Sequence, residues 1–311
     1  MSTYRKILSS LHGIGFRHWA VFALIVLGIV WLYSSRQYQS SDAGSSGFTF
    51  PPEVKWEELD PAHVVSFPSR TKPTDYAGKP WPQVQGYLRK PPGPGPFPAM
   101  VVHGSLNLPH HKAWVERLAE WGYVAVLVNL RPFFIKGMGA EGGPTVPERA
   151  DAYFSALGYL QQQSFVRADK VGVMGWHMYG GGGVMMALEA SPEKPDQPNL
   201  PLITLRPEQR FKAGVVYYAN CPNTSPYFSA PLLLFLGGND SRNPQAKCRE
   251  MEAQRKNKTQ PIELVVYPET TDFFEFGMDG VDPWGRKYYS DPNATEDSIQ
   301  RIRVFLDQHL K

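Results

Sequence analysis

Imidazole is the side chain best suited to act as a base, nucleophile or metal ligand near neutral pH. This chain has eight, at His12, His18, His63, His103, His110, His111, His177 and His309. Four lie at or before His103, and His110 and His111 are adjacent in what reads as a loop. His177 sits among glycines in Gly175-Trp176-His177-Met178-Tyr179-Gly180-Gly181. His309 falls in the last turn of an expected C-terminal helix, where a cation suits the helix dipole. The two cysteines, Cys221 and Cys248, are too few for a thiolate zinc site or a disulfide framework. Arg131 follows an apolar run and could hold a ligand carboxylate, or equally stand in a surface loop. No cofactor is expected.

These groups need a scaffold. The 311 residues suffice for one large domain, and an apolar fraction of 42% excludes a wholly disordered chain. A net charge of +3, with no basic stripe, argues against a nucleic-acid partner. Short apolar runs bounded by turn residues predict strands at Ala99–Val102, Tyr123–Val128, Lys170–Met174, Ala213–Tyr217, Leu232–Leu236 and Glu263–Tyr267. Helices are expected between most of them, at Lys112–Trp121, Pro147–Gln163, Gly181–Glu189, Pro244–Arg255 and Glu296–His309. Val64–Phe67 and Val84–Leu88 precede them as an antiparallel pair. The alternation predicts one α/β domain, with a mostly parallel sheet covered by helices on both faces. In such a sheet Asn129 and Arg131 face the carboxyl edge, where ligands bind.

The N-terminus reads as a membrane address. Trp19–Tyr33 is uncharged and apolar, and as a helix it spans about 22 Å. Arg17 and Arg36 flank it and extend the reach to roughly 30 Å by snorkelling. Arg5, Lys6 and Arg17 precede the run and Arg36 follows it, which predicts a cytoplasmic N-terminus. The expected organisation is a basic cytoplasmic tail over 1–18 and a single-pass signal anchor over 19–35. A Ser/Gly-rich tether over 36–59 then leads to the exported domain over 60–311. In a bacterium that places the domain in the periplasm, held at the inner membrane. A cleaved signal peptide is the alternative.

Five fragments together resemble the dienelactone hydrolase family of the α/β-hydrolase superfamily. They are Gly86–Gly104, Trp114–Val128, Asp169–Trp176 (DKVGVMGW), Ala230–Pro244 (APLLLFLGGNDSRNP) and Glu263–Thr271 (ELVVYPETT). The resemblance implies an α/β-hydrolase fold from about Val64 onward. It also implies esterase or lactonase chemistry, with a nucleophile, acid and histidine in that order along the chain.

Placed on that pattern, the chain departs from it. The nucleophile elbow needs Gly-x-nucleophile-x-Gly. Counting from Gly175 the slot is His177, and counting back from Gly180 it is Met178, so neither register supplies a hydroxyl or thiol. One extra residue lies here. The base slot after Tyr267-Pro268 is Asp272, and the acid slot is Asp240, which could otherwise cap a helix or turn. Backbone N–H groups of Ser105, Leu106 and Met178, after Gly104, could cradle a negative charge. Losing a nucleophile or base typically costs a factor of about 10⁴–10⁶ in turnover. The expectation is a degenerate hydrolase homologue that keeps a pocket for a small ester-like or lactone-like ligand. An active hydrolase with an atypical site is the alternative. A third is a metal site of His177, Asp240 and Asp272, since one imidazole with two carboxylates can hold iron or zinc. Cys221 and Cys248 fall where exported relatives also carry cysteine, and either pair as a disulfide or stay as buried thiols. The sequence identifies no protein partner.

Overall fold

The apolar runs become central strands because both sheet faces are covered, which leaves no polar side to alternate with. The computed structural model describes residues 55–70, 83–104, 108–130, 145–189, 207–221, 228–240, 245–254, 260–277, 279–281 and 285–311. Strands β1 (Val64–Pro68), β2 (Gln83–Arg89), β3 (Phe97–Gly104), β4 (Val124–Asn129), β5 (Val166–Trp176), β6 (Gly214–Tyr217), β7 (Leu232–Gly237) and β8 (Ile262–Tyr267) form one sheet. Its order is β1-β2-β4-β3-β5-β6-β7-β8. The β1/β2 and β2/β4 pairs are antiparallel, and every later pair is parallel. All six residues of β4 and of β7 are buried.

Successive strand residues point to opposite faces and feed two cores. Val101, Val126, Val173, Val216 and Leu234 pack on one face. They meet Tyr153 and Leu157 of α2 (Val146–Gln161) and Val184 and Leu188 of α3 (Gly182–Leu188). Met100, Leu127, Met174, Val215 and Phe235 pack on the other. Their partners are Trp114 and Leu118 of α1 (Leu108–Glu120) and Ile302 and Leu306 of α5 (Pro292–Leu310). Fully burying such a side chain contributes roughly 1.5–3 kcal/mol. The remaining helix, α4, spans Gln245–Gln254.

Local signals set the helix starts. Thr145 caps α2 by accepting from Glu148 N, while Glu148 Oε2 accepts from Thr145 N at 2.7 Å; Pro147 occupies the first turn. Asp291 caps α5 through Ala294 N at 2.9 Å. The sulfurs of Cys221 and Cys248 are joined, closing a separation of 27 residues between the end of β6 and α4. A loop of that length contributes about 3.6 kcal/mol by restricting the unfolded chain.

Three expectations need comment. His110 and His111 are not loop residues but lie in the first turn of α1, which begins four residues before the expected Lys112. The reason is Pro109, whose fixed φ suits a first turn. The tether does not run to residue 59: Trp56 and Leu59 are buried in the core that holds α1, because an apolar surface there has somewhere to go. The anchor over 19–35 lies outside the described residues. Among those described, no helix is long and apolar enough to cross a membrane.

Candidate functional site

The chain leaves β5 at Trp176 and reverses sharply. His177 takes φ +63°, a left-handed conformation costing a non-glycine residue about 1–3 kcal/mol. His177–Gly181 then form a π-helical turn before α3 starts at Gly182. A π turn closes one residue wider than an α turn, so it absorbs the extra residue seen in the sequence. His177 thus takes the left-handed position directly after β5, and Met178 follows it in the turn.

Two glycines permit this turn. A Cβ on Gly175 would lie 2.6 Å from the Gly180 carbonyl oxygen. One on Gly180 would lie 2.7 Å from Cδ2 of His103. The His103 ring is wedged between the elbow and α2, with Nδ1 2.7 Å from the Tyr153 hydroxyl. Burial, and then the charges of Arg149, His111 and His177, push its pKa well below the usual imidazole range. His103 is therefore a neutral packing group. Arg149 is itself buried, with its guanidinium 5.2 Å from the centre of the Tyr179 ring.

The other two slots lie on neighbouring loops. Asp240 follows β7 and Asp272 follows β8, and both are buried. The two loops are stitched together by Gly238 N donating to Tyr267 O at 2.8 Å and Asn239 N donating to Thr270 O at 2.9 Å. Beyond Asp272 the chain returns to the elbow, where the Phe273 ring stacks on His177 at 5.6 Å and 14°. The fold thus gathers the three loops at the carboxyl edge of the sheet. It does not make them a metal centre: among the described residues no three His, Cys, Asp or Glu side chains are placed to hold an ion. The set His177, Asp240 and Asp272 is therefore withdrawn as a ligand set. Gly104 ends β3 so close to β4 that a Cβ would meet the Val128 carbonyl oxygen at 2.2 Å. Ser105, Leu106 and Arg131 lie outside the described residues.

The structure adds groups that sequence reasoning did not single out. Glu275 is buried beside the elbow, and its Oε1 accepts from Trp176 Nε1 at 2.8 Å. His110 Nε2 lies 3.7 Å from the same oxygen. Burial raises the Glu275 carboxyl well above the usual carboxylate range and so favours its neutral form. Burial lowers His110, with smaller pushes from His111 and Arg117, and lowers His111 to about 3. His110 also stacks on Phe276 at 3.8 Å, and Phe276 meets Phe273 edge-on at 5.1 Å. A row of rings therefore runs from His177 through Phe273 and Phe276 to His110. The sequence signal was the single charge in Phe273-Phe274-Glu275-Phe276, since a charge inside an aromatic run is either buried for a reason or lies at an edge.

Similar solved structures share this architecture. A candidate dienelactone hydrolase from Klebsiella pneumoniae subsp. pneumoniae superposes with a TM-score of 0.55 at 18% identity, covering 79% of this chain and 99% of that one. Thermogutta terrifontis esterase 2, phosphoramylated by tabun, gives 0.56 at 16% identity, covering 82% and 97%. The same esterase phosphorylated by paraoxon gives 0.53 at 16%, covering 80% and 94%. No protein-family model and no curated sequence matches the chain. The protein has the α/β-hydrolase fold and resembles dienelactone hydrolase and esterases in structure.

Proposed function

We propose that this protein is a hydrolase-fold binding protein, one that holds a small ester-like or lactone-like ligand at a remodelled elbow without forming an acyl-enzyme. The observation that carries this is His177 in the left-handed elbow position, stacked under Phe273. The residue that should carry an attacking oxygen or sulfur carries an imidazole, and a ring covers it. Asp272 in the base slot points the same way, because a carboxylate cannot replace the imidazole that takes and returns the nucleophile's proton. The apolar run Trp19–Tyr33 and its flanking arginines support a membrane-anchored, exported protein. The linked pair Cys221 and Cys248 suits an oxidising compartment.

The test is hydrolysis of short-chain aryl esters and simple lactones by protein shown to be folded. The reading expects rates at background, unchanged by His177→Ala or Asp240→Ala. An active hydrolase with an atypical site is the competing reading. Turnover abolished by either substitution would establish it.

A further inference from the structure

Three non-glycine residues among those described have positive φ: His177 at +63°, Tyr218 at +56° and Phe273 at +62°. They come from three parts of the chain, namely the end of β5, the residue after β6 and the loop after β8. Their rings meet in space. Phe273 lies 5.6 Å from His177 and 5.9 Å from Tyr218. Backbone strain is spread over many positions when it is incidental, and it collects at sites where geometry is set by a ligand.

A second observation falls in the same region. Among the described residues, the Tyr218 hydroxyl, both ring nitrogens of His111 and Oε2 of Glu275 are buried with no hydrogen-bond partner. Tyr218 is 0% exposed and His111 2%. The His111 ring lies 4.6 Å from that of Trp176, whose N–H holds Glu275. Trp176 stacks on Tyr217, the neighbour of Tyr218. For packing alone, phenylalanine in place of Tyr218 and an aliphatic side chain in place of His111 would serve better, since a buried polar atom without a partner is destabilising. Strain and unmet hydrogen-bonding capacity thus coincide around one set of rings.

The chemistry of these groups narrows what they receive. Tyr218 O–H, an imidazole N–H of His111 and the acid proton of Glu275 are all donors. Burial disfavours the charged forms of His111 and Glu275, and an ionised ligand held among such buried groups would lose its hydration without a matching charge. The aromatic surroundings, with Phe273 only half-buried among them, favour a flat partner. We propose that Tyr218, His111 and Glu275 form a binding site for an uncharged, planar ring compound bearing a carbonyl oxygen, which takes the donated hydrogen bonds while its ring packs on Phe273. This rests on the reading of the elbow as a binding site and names its ligand class.

The experiment is isothermal titration of the full chain with coumarin and with its anionic counterpart coumarin-3-carboxylate. It is repeated on Tyr218→Phe and His111→Leu, with thermal melts of all three proteins. Coumarin is expected to bind, the carboxylate at least about tenfold more weakly, and both variants to lose about tenfold or more in coumarin affinity. Their Tm should equal or exceed that of the unaltered chain, because a partnerless polar group has been removed. Three results would overturn the site: no coumarin binding by the unaltered chain, undiminished binding by Tyr218→Phe, or a Tm lowered by several degrees in Tyr218→Phe. Opening of the coumarin lactone, lost in both His177→Ala and Tyr218→Phe, would instead sink the reading without turnover and leave this site standing.

Discussion

Trp176 donates its indole N–H to Oε1 of Glu275 at 2.8 Å, inside the protein and one residue before the elbow. The bond ties the end of β5 to the loop that follows β8. It links the residue that begins the reversal to the segment that covers it, and it does so with a carboxyl group whose protonated form burial favours.

The Glu275 carboxyl has a folded-state pKa raised above its unfolded value, so its contribution is fully present below about pH 4.5 and is lost as pH rises through the folded value. Glu275→Gln keeps the acceptor for Trp176 and removes the titration. The variant should match the unaltered protein near pH 4.5 and have the higher Tm at pH 7 and above. Each unit of pKa shift corresponds to about 1.4 kcal/mol. Thermal melts from pH 4.5 to 8 check this, and a lower Tm at pH 7 would mean the charged form is the one held.

The imidazoles carry the opposite sign. His111 falls to about 3 in the folded state against 6.5 in the unfolded chain. Its neutral form contributes fully above about pH 6.5, and the contribution is lost as pH falls from there toward 3. His103 and His110 are lowered by burial in the same way. Three such groups outweigh one carboxyl between pH 4.5 and 6.5, so stability should fall with acid over that window. His111→Leu should flatten the fall by up to about 1.4 kcal/mol per pH unit, read from urea unfolding at pH 7.5, 6 and 5.

Gly180 faces the edge of the His103 ring with no room for a methyl group. Gly180→Ala should destabilise the protein by about 1–3 kcal/mol through overpacking. Combined with His103→Ala, it should cost less than the sum of the two single changes, since removing the ring opens the space. Urea unfolding of the four proteins in the cycle measures the coupling. Strict additivity would show that the elbow does not rest on His103.

The strands were legible because each is a short apolar run bounded by turn residues: Leu232–Leu236 and Glu263–Tyr267 differ from the observed strands by one residue. Thr145, Pro147 and Glu148 mark the start of α2 within the sequence itself, as a local cap should. The elbow was legible as a departure, an insertion with no hydroxyl, but its geometry was not. Whether His177 or Met178 stands at the turn depends on a π turn that no local pattern announces. The pairing of Trp176 with Glu275 and the stack of His110 on Phe276 join segments about a hundred residues or more apart, and only tertiary packing brings them together. His110 and His111 were passed over although Asn107 and Pro109 are residue types that favour a helix start.

On the proposed reading, the elbow holds no group able to become acylated or phosphorylated in the manner of a hydrolase serine. Intact mass measurement after incubation with paraoxon, the reagent that phosphorylates the structurally similar Thermogutta terrifontis esterase, tests it most directly. The mass of the folded protein should be unchanged. A stoichiometric diethylphosphoryl adduct, mapped to the elbow and absent in His177→Ala, would contradict the account.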